Sequence, residues 1–172
     1  MPNTTDRIIK PSEECNGMAM RFFALVQEEF SRRENLKNEL IQLVSQIRIE
    51  IDKVDLISLD FAAAHENAKN NLAEIENKYN SIYPTYQTFV LSQLEKGIKP
   101  GLTGIVREFH ELSSKRIDAK NKVIKTSKEL KNFMTFWSEE KSKQLTRIEE
   151  YNLQIAELER SSPTSTTPLR PA

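Results

Sequence analysis

Cysteine is nearly missing from this chain: Cys15 stands alone in 172 residues, so no disulfide can close within it. Histidine is almost as scarce. His65 and His110 are the two present, and with Cys15 far from both in sequence, no zinc site with several ligands at motif spacing can be assembled. No metal and no cofactor is therefore expected. Long apolar runs are absent too: no stretch approaches the roughly 18–20 apolar residues of a membrane span, and Met1 to Lys10 lack the apolar segment of a secretory signal. The expectation is a protein without a transmembrane segment that works in the cytoplasm. Neither charge sign is in excess, with 25 basic and 25 acidic residues, which gives no electrostatic reason to expect nucleic acid as a partner.

Glycine is the last shortage, and its distribution is informative. Of four glycines in the chain, Gly97, Gly101 and Gly104 fall with Pro100 inside Glu95 to Gly104. Glycine accepts backbone angles that other residues resist, and proline biases its predecessor away from helix, so a turn is predicted near 97–101 between two helical arms. These glycines follow no strand, so they do not form the phosphate-binding loop of a strand–turn–helix unit.

What the sequence has in quantity is helical rhythm. Hydrophobic residues make up 38% and charged residues 29%, a mixture suited to long helices with narrow apolar seams. Leu36, Leu40, Leu43, Ile47, Ile51, Val54, Ile57 and Phe61 follow one another at three or four residues, with a local departure from the heptad between Leu43 and Ile51. Leu72, Ile75, Tyr79, Ile82, Tyr86 and Phe89 continue the rhythm. Pro84 predicts a bend or break near Asn80 to Pro84. Beyond the turn, the rhythm resumes from Leu102 and Ile105 to Leu158. Folded as an antiparallel hairpin closed near residue 99, the arms pair Phe89 with Phe109, Phe61 with Trp137, Leu43 with Ile155 and Leu40 with Leu158, numbers that sum to 198.

The predicted fold is all-α, an elongated antiparallel helical hairpin or coiled coil about 90 Å long at 1.5 Å per residue. A flexible leader is expected over 1–15, the helical domain over 16–160, and a disordered Ser/Thr/Pro tail over 161–172. This pairing leaves Phe22, Phe23, Leu25, Val26 and Phe30 uncovered. Either the first segment folds back through Ala62 to Asn71 to make three helices, or the stripe binds a protein partner or a second copy.

Other side chains carry weaker signals. Phe133, Met134, Phe136 and Trp137 cannot all enter one seam, so some are core and the rest are candidates for contact. Lys115, Arg116, Lys120, Lys122, Lys125, Lys128 and Lys131 are a candidate basic face, either solvated or touching acidic lipid or protein. His110, beside Glu108 and Glu111, has no nucleophile or orienting group near it in sequence, so no general base is assigned. Tyr83-Pro84-Thr85-Tyr86 sits inside the heptad pattern and reads as structure.

Leu94-Glu95-Lys96-Gly97-Ile98-Lys99, Leu102-Thr103-Gly104-Ile105 and Phe109 resemble the C-terminal part of the V domain of ALIX-type endosomal-sorting scaffold proteins. Gln27-Glu28-Glu29-Phe30-Ser31 and the stretch Asn67 to Tyr79 are loosely similar as well. The resemblance implies a helical arm in endosome-associated protein transport. It also implies that Leu102 and Ile105 help line a groove for tyrosine-proline peptides. The expected function is a non-enzymatic cytoplasmic scaffold or adaptor that binds through exposed helical faces. The alternatives are a dimer that curves membranes in the manner of BAR domains, which would make peripheral membrane contact, and a structural or cytoskeletal coiled coil.

Overall fold

The computed structural model describes residues 10–161, which form two helices. Helix α1 spans Lys10–Glu95 and α2 spans Ile105–Arg160. The chain divides into two compact units, one of residues up to Glu50 together with those from Lys143, the other Ile51–Ser142. The leader and the tail predicted at the ends lie largely outside the described residues. Within the predicted leader, Lys10 to Cys15 belong to α1.

In the unit Ile51–Ser142, the two helices form an antiparallel pair. On α1 the residues turned inward are Ile51, Val54, Ser58, Phe61, His65, Ala68, Leu72, Ile75, Tyr79, Ile82 and Tyr86, all buried or half-buried. Their spacing alternates strictly between three and four, the heptad seam of a left-handed coiled coil. On α2 the matching set is Arg116, Ala119, Val123, Thr126, Leu130, Phe133 and Trp137. In the unit that contains Leu40, the same alternation buries Leu40, Val44 and Ile47 on α1 and Ile148 on α2, with Tyr151, Ile155 and Leu158 half-buried.

These seams correct the apolar count made from sequence. Leu36, Leu43 and Ile57 are exposed, and Val44 and Ser58 take the places assigned to the last two. The apparent heptad departure between Leu43 and Ile51 disappears with that change. Counting apolar residues alone skips Ser58 and His65, which occupy seam positions without being hydrophobic.

The pairing register also differs from the predicted one, by about one helical turn. Phe61 stacks on Phe133 with ring centroids 4.8 Å apart, not on Trp137. Phe109 stacks on Tyr86 at 3.8 Å, not on Phe89, and Ile117, the predicted partner of Ile82, is exposed. Facing numbers thus sum to 194 or 195. The cause is an asymmetric connection. Gly97 takes a left-handed backbone, φ 72°, and the amides of Gly97 and Ile98 donate to the carbonyls of Leu94 and Gln93, each at 2.9 Å. This doubly bonded cap ends α1 at a fixed residue. Ile105 then falls opposite residues near 89 and 90, so 96–104 double back along the last turn of α1. A prediction symmetric about residue 99 cannot include that return.

Helix α1 is continuous through Pro84 and through Ala62 to Asn71. Of the bend or break predicted at the proline, the break is absent, and so is the fold-back. Pro84 and Asn80 are exposed, so water can solvate the Asn80 carbonyl that the proline leaves without an amide donor. That removes much of the cost of carrying a proline in the helix.

Candidate interaction surface

Two kinds of polar residue interrupt the seams, and they do different things. In the unit Ile51–Ser142, Trp137 is buried and its indole Nε1 donates to Asp55 Oδ1 at 2.7 Å. Lys141 Nζ donates to Asp55 Oδ2 at 2.6 Å. The ammonium foremost, and the indole after it, hold the Asp55 carboxyl below its ordinary carboxylate value. About three turns further along, His65 Nδ1 lies 3.1 Å from the hydroxyl of the buried Thr126. Arg116 and Lys120 reach Glu76 at 3.3 and 3.7 Å, and the Arg116 guanidinium lies 4.7 Å from the Tyr79 ring centroid. In this register each of these pairs is satisfied. A slip of one turn would take Trp137 from Asp55 and Thr126 from His65, so those two pairs contribute to alignment. Sequence reading missed Asp55 and Lys141 altogether. The signal that could have found them is the buried tryptophan, whose N–H requires an acceptor.

The second kind lies on α1 in the other unit. Arg33 pairs with Glu29 at 3.0 Å and donates to the Ser161 carbonyl at 3.5 Å. Lys37 pairs with Glu34 at 2.8 Å. These two basic residues occupy successive seam positions between Leu40 and Phe30, and they mark where the described end of α2 stops alongside α1.

Toward the N-terminus from Arg33 the seam continues without cover among the described residues. Phe30, Val26, Phe23, Ala19 and Asn16 follow at the same alternating three and four, yet all are exposed, Phe23 by 61%, Val26 by 46% and Phe30 by 41%. At 100° per residue, Phe22, Val26, Ala19, Phe30 and Phe23 fall within an arc of about 100°. Phe22 is 70% exposed and Leu25 64%. Phe22, Phe23, Leu25, Val26 and Phe30 line an open groove of about 730 Å³ that also takes in Arg33 and Ser161. Every residue predicted as a contact from the pairing is therefore on the surface, and all five line one groove, Leu25 at its side.

The other candidates fare differently. Of the aromatic cluster, Trp137 is buried and Phe133 half-buried, whereas Met134 and Phe136 are exposed. Trp137 faces Asp55 in place of the predicted Phe61. Leu102 is exposed in the connection and Ile105 is half-buried at the start of α2. The basic residues do not assemble into one face. Arg116 and Lys120 turn toward the seam, and at 100° per residue Lys115 and Lys131 stand about 160° apart. Lys125 lies 3.9 Å from Glu129. His110 is exposed with its ring edge-on to Tyr86, and Cys15 is exposed. Among the described residues no cluster of three or more His, Cys, Asp or Glu could hold a metal, and no helix is long and apolar enough to cross a membrane.

Comparison with known proteins finds no protein-family model that matches the chain, no similar curated protein and no similar solved structure.

Proposed function

We propose that the protein is a non-enzymatic scaffold or adaptor, and that the N-terminal part of α1 is its docking surface for a helical partner. The observation that carries this reading is the uncovered seam: Ala19, Phe23, Val26 and Phe30 keep the spacing of residues that elsewhere in α1 are buried against α2. A seam of that period is complementary to another helix. Its aromatic content is of the kind that supplies most of the binding energy at protein interfaces. The resemblance of Leu94 to Phe109 to ALIX-type scaffolds supplies a setting for the proposal, protein transport at endosomes. It adds a second site to test, a peptide groove at Leu102 and Ile105.

The test is affinity capture with the wild-type chain and with a Phe23→Glu, Phe30→Glu variant, with circular dichroism checking that both are equally helical. Specific proteins retained by the wild type and lost from the variant are the expected result. Identical capture by both would remove the stripe from the function. Titration of a tyrosine-proline peptide against wild type and Leu102→Asp tests the second site independently.

A further inference from the structure

We infer that the occupant of the uncovered seam is a second copy of this chain, paired antiparallel about a two-fold axis between residues 24 and 25 of α1. The inference rests on the docking surface proposed above and names its partner.

The seam is self-complementary in that orientation. An antiparallel coiled coil sets the first apolar position of one heptad against the fourth of the other. Here Phe23 meets Val26 of the second copy and Phe30 meets Ala19, the layers short of Arg33, where the Ser161 carbonyl already meets that side chain. Each phenylalanine thus faces a smaller residue, which is how facing layers fill space without voids. A parallel pair would stack Phe30 on Phe30 and Ala19 on Ala19, overfilling one layer and leaving a hole in another.

Register is fixed as well. A slip of one heptad places Phe23 against Arg33 in one direction and leaves Phe30 opposite Ser12 in the other.

The exposed area reaches the scale of a small interface. Met20, Phe22, Phe23, Val26 and Phe30 are exposed by 41–72%, or about 600 Å² per copy, so a pair that covers them fully buries about 1,200 Å², the lower bound for specific, stable interfaces. Leu25 and Met18 lie to one side of the seam and remain outside the pair.

Light scattering coupled to size exclusion should give twice the chain mass of 19.9 kDa, with Phe23→Glu weakening dimerisation by about 30-fold or more, as removal of a central aromatic anchor does. Orientation is read from spin-label pairs placed at Ala24 or at Ser31 in a Cys15→Ser background. Antiparallel copies separate the Ser31 labels by about 20 Å more along the axis than the Ala24 labels, and parallel copies separate both pairs equally. Equal distances overturn the inference. A monomer overturns it too, and dye binding then judges the reading beneath it. If a monomer enhances the fluorescence of 1-anilinonaphthalene-8-sulfonate and Phe23→Glu abolishes the effect, the docking surface stands with another occupant. A monomer with no dye uptake removes both.

Discussion

Two stretches of α1 on either side of Arg33 and Lys37 share one pattern and differ in what covers it. Leu40, Val44 and Ile47 are buried, whereas Ala19, Phe23, Val26 and Phe30, at the same alternating spacing, are exposed. Helix propensity and periodicity do not separate them. The second stretch is in fact the richer in aromatic side chains. Its exposure follows from where α2 stops, since the Ser161 carbonyl meets Arg33 and no described residue lies beyond. A heptad seam states that a partner helix is needed; the lengths of the two arms and the register between them decide whether the same chain supplies it.

The largest way to break the comparison is a charge placed in each stretch. Ile47→Asp puts a carboxylate into a covered layer with no partner, and should cost about 4 kcal/mol, enough to unfold its unit. Phe23→Asp puts the same group where water already reaches. It should change the midpoint of chemical denaturation of dilute, monomeric protein by less than about 0.5 kcal/mol equivalent. Equal losses would mean that the N-terminal stretch is covered after all.

A smaller effect sharpens why α2 ends where it does. Gly97 in its left-handed conformation fixes the last residue of α1, and a Cβ added there would meet nothing within 4 Å. Gly97→Ala should therefore cost only the backbone strain, about 1 kcal/mol, and Gly97→Asn less. Thermal melts of the three proteins check the order. A Gly97→Ala variant as stable as the wild type would show that the cap does not hold the connection.

The sequence carried much of this and withheld the rest for identifiable reasons. The two helices, the reversal at Gly97 to Gly104 and the uncovered Phe22 to Phe30 stripe were legible because each depends on local residue type and period. The register was not. It depends on a loop that doubles back beside α1, and on Asp55, Thr126, His65 and Ser58, polar residues that an apolar count passes over. Pro84 does not break the helix because the cost of its missing amide depends on whether the freed Asn80 carbonyl is solvated, which only the exposure of that turn reveals. The basic residues Lys115 to Lys131 looked like a face in one dimension and disperse around the helix in three.

The smallest effect concerns the polar layer that aligns the other unit, and it is read against pH. Lys141 and Trp137 hold the Asp55 carboxyl below its ordinary value in the folded state. A depressed folded value means that the unfolded chain binds the proton first. The stabilising contribution is thus fully present above the unfolded value of about 4, and it is lost as pH falls through the lower folded value. Asp55→Asn keeps an oxygen for the indole N–H and removes the charge that meets Lys141. At neutral pH the variant should be the less stable protein. Below about pH 4 the wild type should converge on it, because protonated Asp55 then resembles the amide. Denaturant titrations at a series of pH values measure the gap between the two. A gap that stays constant down to about pH 2 would show that Asp55 is not charged in the folded unit, or that Lys141 does not stabilise its charge.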